Sequence, residues 1–398
     1  MAALFLTVFI DMVGFGIVIP LLPFYAQRYG ASPDEVTLLV TAYTLTQFVF
    51  APFWGRVSDR YGRRSVLLVT LAGTAVAYVW TGLAESLVML FVARAFAGAS
   101  AANVAVAHAY VADIAPPEHR AREMGKIGAA FGLGFVIGPA IGGLLAAPDA
   151  AGVDYMTPFL VAAGFSVVAW VLALIQLKET VTGAMREAAA QHATRGRLAS
   201  LAESLSRPWL GRLIVLMFMT PFVFSGVEST FALWSERALA WGPVENGYVY
   251  SYMGVIAVLT QGAVVGRLVR RVGEVRAIQI GALAVLVGSV ALPFSLALAP
   301  LLVSLGLIVF GVCVTGPSLN SLISRFAAAH ERGAILGIAQ SSSGLARILG
   351  PGINGYAFAG LGRDAPYYLG GLVMIAMLVI GRRLAGLPRG DEAAARSP

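Results

Sequence analysis

Apolar stretches of about 20 residues recur along this chain, each bounded by charged residues, glycine or proline. A stretch of this length crosses the hydrocarbon core of a bilayer as an α-helix. Because such stretches follow one another through most of the chain, the pattern predicts an all-α membrane protein. Twelve transmembrane helices are predicted, near residues 2–26, 36–55, 65–84, 86–112, 123–147, 156–177, 209–235, 244–266, 276–296, 299–325, 333–360 and 365–382.

The composition favours the same class of protein. Hydrophobic residues make up 58% of the 398 residues, charged residues make up 12%, and the mean hydropathy is +0.79. A soluble domain has about 25% charged residues, so a water-soluble globule is excluded. The single cysteine, Cys313, has no partner for an intramolecular disulfide and no neighbouring pattern of zinc ligands.

The basic residues are distributed unevenly between the predicted loops. If the N-terminus is cytoplasmic, all but five of the 28 Lys and Arg residues fall in the cytoplasmic loops and tail. The exceptions are Arg28, Arg237 and Arg363 on the opposite side, and Arg94 and Arg347 inside spans. The positive-inside rule therefore predicts a multi-pass protein of the inner membrane with both termini in the cytoplasm. Topology accounts for the net charge of +7, so we expect no nucleic-acid partner.

The chain contains an internal duplication. The segment 55–62 recurs at 266–273 with an offset of 211, and the segment 132–143 recurs at 344–355 with an offset of 212. An even number of spans in each copy gives the copies the same orientation, related by a pseudo-two-fold axis along the membrane normal. We predict a six-helix bundle over 1–177, a cytoplasmic linker over 178–208, a second six-helix bundle over 209–385 and a cytoplasmic tail over 386–398.

Several motifs resemble those of a known family. The pattern Gly55-x3-Asp59-Arg60-x-Gly62-Arg63-Arg64 resembles the signature of the major facilitator superfamily. Arg94-x3-Gly98, and Gly134-x3-Gly138-Pro139-x2-Gly142-Gly143, resemble the additional motifs of its drug:proton antiporters, the last of which marks exporters. The run 109–114, together with Asp11, is most similar to the tetracycline-efflux proteins of Gram-negative bacteria. Those exporters carry an aspartate in span three where Ala77 and Tyr78 stand here.

Ionisable residues inside the spans are candidates for function, because each costs about 2.5–3.5 kcal/mol to insert. Asp11 and Glu228 lie near mid-depth and are predicted to couple protons or to contact substrate. The alternatives are a neutral Asp11 carboxyl hydrogen-bonded to a neighbouring helix, and a structural ion pair of Glu228 with Arg347. Arg347 replaces Phe135 of the other repeat and is a candidate for binding an anionic group. The resemblance implies a role of Arg94 in proton transfer.

A conformational latch is predicted at the loop after span two. Asp113 stands at the C-terminal end of a helix, where its charge opposes the helix dipole, so it requires a cationic partner. Arg56, Arg60 and Arg63 are the candidates, and the alternative is a solvated loop. The second copy has Arg270 where Asp59 stands, so the two latches are not expected to be equivalent. The predicted latch residues are Gly55, Asp59, Arg60, Gly62, Arg63 and Asp113.

Two further groups complete the candidate site. The antiporter helix motif consists of Gly134, Gly138, Pro139, Gly142 and Gly143. The polar side chains that either contact substrate in a cavity or join helices are Gln47, Asn103, His108, Gln261 and Gln340.

We therefore expect a secondary transporter, not an enzyme, that exports a small amphipathic or hydrophobic compound in exchange for protons. The chain has no P-loop for ATP and no zinc-protease motif. We therefore expect no cofactor, and we expect the proton gradient to supply the energy for transport. The expected partners are a small-molecule substrate such as a tetracycline-like drug, protons and the lipid bilayer, with the protein a monomer. The alternatives are a proton-coupled metabolite importer, a lipid flippase on the same fold, an intramembrane enzyme, and a receptor without transport.

The distribution of basic residues makes a direct prediction about topology. We expect a fluorescent protein fused after Pro398 to fluoresce, because it would lie in the cytoplasm. A phosphatase that is active only in the periplasm is expected to be inactive at the same position. A periplasmic signal there would contradict the assignment of every loop.

Overall fold

The computed structural model describes residues 1–147, 153–181, 208–326 and 332–382. All regular elements in these ranges are helical. The first part of the chain forms α1 (Ala2–Val18), α2 (Leu22–Arg28), α3 (Pro33–Tyr61), α4 (Arg63–Gly82), α5 (Leu87–Ser100), α6 (Asn103–Ile114), α7 (Pro117–Leu145) and α8 (Met156–Gln176). The second part forms α9 (Pro208–Leu239), α10 (Pro243–Leu259), a π-helical turn (Thr260–Val264), α11 (Val265–Val272), α12 (Glu274–Ala291), a 3₁₀ turn (Leu292–Phe294), α13 (Leu298–Phe326), α14 (Arg332–Leu361) and α15 (Ala365–Arg382).

Each of the twelve predicted spans is helical over most of its length. Among the described residues, ten helical stretches are long and apolar enough to cross a membrane, and the bent pair α1 and α2 raises the number to eleven. The remaining predicted span corresponds to α14, which has 30 residues but carries Gln340, three serines at 341–343 and Arg347. These polar residues reduce its hydropathy, although its length is sufficient for a span.

Two spans are interrupted, for different reasons. Span one bends by 41° between α1 and α2, where Pro20 lacks the N–H that a continuous helix requires. Span four is broken at Ala101 and Ala102 although it contains no proline. Side chains of α3 replace the helical hydrogen bonds that are lost at the break. Trp54 Nε1 donates to the carbonyl oxygen of residue 99 at 2.6 Å, and Gln47 Nε2 donates to that of Ala101 at 3.2 Å. A broken helix at membrane depth is tolerated because its carbonyl groups are bonded within the protein.

The described residues divide into two compact units. One comprises the described part of 1–193 together with 232–255, and the other comprises the described part of 194–231 and 256–398. The core of the first unit includes Leu4, Val8, Leu67, Leu71 and Val111. The core of the second includes Leu213, Ile278, Val285, Leu322 and Met374. The predicted bundle boundaries stay a prediction, since most of 178–208 and all of 386–398 lie outside the described residues.

The glycines of α7 allow this helix to pack directly against the backbone of α1. A Cβ atom added to Gly138 would lie 2.7 Å from the Cα of Gly16, and the same helix face brings Gly134 against Met12 and Gly142 against Ile17. Pro139 also lies at this contact, beside Gly16. Gly143, on another face of α7, approaches α10 at Gly247. Small residues permit such close approach between membrane helices.

The second copy repeats the packing of α7 on α1. A Cβ atom on Gly350 of α14 would lie 2.9 Å from the carbonyl oxygen of Phe222 on α9. Asn354, which occupies the position of Gly142, contacts Gly226 and donates from Nδ2 to the Gly350 carbonyl at 2.8 Å. The duplication that the sequence indicates is therefore also present in the helix contacts.

The α7 contact makes a prediction about stability. Gly138→Ala is expected to destabilise the protein by about 1–3 kcal/mol, because the new methyl group overlaps the α1 backbone. Gly128→Ala on the same helix is the matched control, since no atom lies within 4 Å of its Cβ position. Thermal unfolding of the purified variants measures the difference, and equal melting temperatures would contradict the close packing.

Candidate functional site

A buried polar cluster surrounds Asp11 in the first unit. The side chain of Asp11 on α1 is only 2% exposed. Asn103 of α6 donates from Nδ2 to Asp11 Oδ2 at 2.9 Å and reaches Thr74 Oγ1 of α4 at 3.5 Å. Ser166 of α8 interacts with the same carboxyl group, although its hydroxyl forms no hydrogen bond of ordinary geometry with a described residue. We call Asp11, Thr74, Asn103 and Ser166 the Asp11 cluster.

Local structure places each member of the cluster. The break in span four ends at Asn103, so this side chain lies in the first turn of α6. Gly14 lets α8 approach α1, since a Cβ atom there would lie 3.1 Å from the carbonyl oxygen of Ala162. The hydroxyl of Thr74 donates to the carbonyl of Thr70 at 2.9 Å, so its oxygen can accept from Asn103. The Asp11 cluster therefore depends on both the helix break and the close packing of α1.

Arg94 lies in the same unit but does not form an ion pair with Asp11. Its side chain on α5 is 5% exposed, and its guanidinium carbon lies 4.5 Å from the ring centre of Tyr43 on α3. Tyr78 of α4 interacts electrostatically with both Asp11 and Arg94. Two tyrosines thus lie around the predicted cation, and no described basic residue pairs with the predicted acid.

Sequence reasoning missed three residues near Asp11. Thr74 and Tyr78 lie on span three, which has no charged residue within 65–84. The aspartate that the resembled exporters carry near Tyr78 was a usable signal, because it marks this face of span three as functional. Ser166 has no sequence signal, since serine is common in membrane helices.

The other predicted pair, Glu228 and Arg347, lies in the second unit. Glu228 on α9 is partly buried, Arg347 on α14 is more exposed, and the two interact electrostatically. The structural ion pair that the sequence left open is therefore compatible with the structure. This arrangement differs from that of Asp11.

Three of the predicted cavity residues contact neighbouring helices. Gln47 bonds to the broken segment of span four. Gln261 donates to Cys313 Sγ at 3.5 Å, and Gln340 donates to Asn320 Oδ1 at 3.4 Å. His108 is exposed on α6. Asn103 alone among the predicted polar residues bonds to an acid inside a span in the described structure.

The predicted latch has Arg63 at its centre. Its guanidinium lies 2.6 Å from Asp59 Oδ1 and 3.0 Å from Asp113 Oδ2. The partner of Asp113 is thus Arg63 among the three candidates, while Arg60 stacks on Tyr61. We call Asp59, Arg63 and Asp113 the first latch. It joins the end of α3, the start of α4 and the end of α6.

A further acid, Glu179, completes the surroundings of the first latch. Gly62 has a positive φ of 111°, which favours glycine at the turn between α3 and α4. Glu179 Oε1 accepts a hydrogen bond from the backbone N–H of Arg63 at 2.7 Å, and the same side chain fills the space where Gly62 would carry a Cβ atom. Gly55 has no atom within 4 Å of its Cβ position, so space does not require glycine there. Sequence reasoning did not identify Glu179.

The second copy contains an ion pair at the positions equivalent to Arg63 and Asp113, with the charges exchanged. Glu274 corresponds to Arg63 at the offset of 211, and Arg325 corresponds to Asp113 at the offset of 212. Arg325 Nη1 lies 2.9 Å from Glu274 Oε1, joining the start of α12 to the end of α13. Together with Arg270 in place of Asp59, all three charges of the first latch are inverted. The repeat offset was sufficient to find this pair.

The first latch predicts different effects of its two acids. Asp59→Asn is expected to leave the protein folded, because an exposed ion pair contributes only about 0–1 kcal/mol, and to reduce transport strongly. Asp113→Asn is expected to lower the melting temperature more, since Asp113 is 10% exposed whereas Asp59 is 43% exposed. Adding Arg270→Asp to Asp59→Asn is expected not to restore transport. Vesicle efflux and thermal unfolding measure both effects, and normal efflux by Asp59→Asn would identify a passive loop.

Comparison with known proteins identifies the family. Residues 4–351 match the Major Facilitator Superfamily. Multidrug resistance protein 2 of Bacillus subtilis (strain 168) is 28% identical over 376 residues, covering 93% of this chain and 91% of that protein. Tetracycline resistance protein, class G, of Vibrio anguillarum is 31% identical over 371 residues, covering 87% of each.

A solved structure agrees in fold. The crystal structure of the human organic anion transporter MFSD10 (TETRAN) superposes with a TM-score of 0.71 at 24% identity, covering 96% of this chain and 98% of that one. The expected family and the expected relatives are confirmed. This family consists of transporters and not of enzymes. The chain is a multi-pass membrane transporter that belongs to the Major Facilitator Superfamily.

Proposed function

We propose that this transporter exports a small amphipathic or hydrophobic compound, such as a tetracycline-like drug, in exchange for protons. It works by alternating access in the inner membrane, as a monomer with both termini in the cytoplasm and with the proton gradient as its energy source. Two relatives that span nearly the whole chain are named for multidrug resistance and tetracycline resistance, which supports export of a drug-like compound.

The observation that carries proton coupling is the buried Asp11 carboxyl without a basic partner among the described residues. An ionised carboxylate in a low-dielectric interior is unfavourable unless a cation or a proton neutralises it. Asn103 donates to Oδ2 and supports the ionised form, whereas a proton removes the charge altogether. Asp11 is therefore suited to carry one proton in each cycle, and each charge moved gains about 2.3 kcal/mol per 100 mV.

The residues around Asp11 extend the site toward Arg94. Tyr78 lies near both residues, which places Asp11 and Arg94 in one polar region of the first unit. Arg94 remains cationic and is held on the face of Tyr43. We assign Asp11 the proton-carrying role and Arg94 the role of a fixed positive charge in the same region.

The first latch is proposed to govern the conformational step. Arg63 joins three helix ends through two carboxylates, so changing its partners changes how α3, α4 and α6 meet. A rearrangement of this kind needs only a few kcal/mol to shift a two-state equilibrium. The latch therefore offers a site where a conformation is held and released.

Transport into everted membrane vesicles tests the proposed function. Candidate drugs, including tetracycline, are supplied under an imposed proton gradient, and gradient-driven accumulation is expected for at least one of them. Asp11→Asn is expected to abolish this accumulation, because the neutral amide cannot release a proton. Asp154→Asn is the matched control, since Asp154 caps the start of α8 and asparagine caps equally well. Full accumulation by Asp11→Asn, or uptake in the opposite direction, would contradict the proposal.

A second set of variants separates Glu228 from Asp11. Glu228→Gln is expected to lower the melting temperature, because it removes the carboxylate that interacts with Arg347. The double variant with Arg347→Gln is expected to regain the wild-type melting temperature. If the double variant also drives efflux, Glu228 is structural and Asp11 alone couples protons. A stable double variant without efflux places Glu228 in the coupling mechanism.

A further inference from the structure

Three buried oxygen atoms around Asp11 have no hydrogen-bond partner among the described residues. They are Asp11 Oδ1, Asn103 Oδ1 and Ser166 Oγ. Their side chains are 2%, 6% and 0% exposed, respectively. Buried polar atoms without a partner are unfavourable, and native structures satisfy nearly all of them. That three such atoms belong to residues around one carboxyl group points to a ligand they share.

The chemistry of these atoms selects the class of ligand. All three are oxygen atoms of the types that bind hard cations, namely carboxylate, amide carbonyl and hydroxyl oxygen. Only one of them carries a charge, and the described residues contain no group of three His, Cys, Asp or Glu that would suit a divalent or transition metal. One negative charge among neutral oxygen atoms is balanced by a monovalent cation.

Two contacts bring these three residues together around the Asp11 carboxyl group. Ser166 interacts with the Asp11 carboxyl group, which places its buried hydroxyl beside the same carboxylate. The Asn103 amide donates its N–H to Asp11 Oδ2 and thereby holds the second carboxylate oxygen in place.

The position in the fold also favours an ion. Asn103 begins α6 at the break of span four, and several transporter folds bind coupling ions at interrupted helices. We propose that Asp11 Oδ1, Asn103 Oδ1 and Ser166 Oγ bind a sodium ion. Sodium is the alkali cation that cells keep low in the cytoplasm, so its inward gradient has the sign that export requires.

This inference rests on the proposed function, because it names a second coupling ion at the carboxylate to which we assign the proton. In this scheme sodium and a proton exclude each other at Asp11, since each neutralises the same charge. The transporter can then be driven by either gradient.

Thermal unfolding of the purified transporter at mildly alkaline pH tests the site directly. The melting temperature is measured in sodium chloride, potassium chloride and choline chloride at equal ionic strength. We expect a rise that saturates with sodium and is absent with choline. Asp11→Asn is expected to abolish the rise, and Ser166→Ala is expected to weaken the apparent sodium affinity about 10- to 100-fold, as for the loss of a group that shapes a metal site.

Ser289→Ala is the matched control. Ser289 on α12 also has a fully buried hydroxyl without a partner among the described residues, but it belongs to the second unit. Its variant is expected to keep the wild-type response to sodium. Equilibrium binding of radioactive sodium to the unmodified protein gives an answer that does not depend on how well any variant folds.

The outcomes are distinct from those of the proposed function. Equal melting temperatures in sodium and choline, or no specific binding of radioactive sodium, would overturn the inference and leave a proton or a buried water at these atoms. Equal weakening by Ser166→Ala and Ser289→Ala would also overturn it. Proton-driven efflux in sodium-free vesicles measures the proposed function separately, so either proposal can fail while the other stands.

Discussion

The structure depends on the requirement that polar groups inside a bilayer find partners within the protein, because hydrocarbon offers none. Span four shows the consequence for the backbone: it breaks without a proline, and Trp54 and Gln47 bond to the carbonyl groups that lose their helical partners. The break in turn places Asn103 beside Asp11. The same constraint makes Asp11 informative, since its carboxyl group is buried and no described basic residue forms an ion pair with it.

Close helix packing is the condition for that arrangement. Without glycines on α7, α1 would lie farther from its neighbour, and contacts at van der Waals distance would be lost along the helix that carries Asp11. The second copy keeps the contact but uses Asn354 where the first has Gly142, and bonds its amide to the α14 backbone. A polar side chain is accepted in a membrane interface when its hydrogen bonds are satisfied locally. In each copy, therefore, the same helix contact provides close packing and leaves no described polar side chain at the contact without a hydrogen bond.

The two ion pairs at the helix ends show what duplication preserves. Arg63 pairs with Asp113 in one copy and Glu274 pairs with Arg325 in the other, at equivalent positions and with opposite signs. An ion pair joins two helix ends equally well in either polarity, so the contact is retained when both charges change. The positive φ of the preceding glycine is retained as well, at Gly62 and Gly273. The two copies differ in the sign of the charges around the residue at the helix start. Acidic side chains surround Arg63, whereas a basic side chain pairs with Glu274.

The sequence by itself determined the membrane class, the approximate spans and the duplication, because exclusion from water acts on each helix through its own composition. It also indicated Asp11, Arg94 and Asn103, since polar residues are conspicuous among apolar ones. Tertiary structure alone decided that Arg63 rather than Arg56 or Arg60 pairs with Asp113, and that Ser166 joins Asp11. Partner choice depends on distances between helices that are remote in the chain, and no local pattern encodes those distances. The break in span four belongs to the same class, because the side chains that bond to its free carbonyl groups lie on α3.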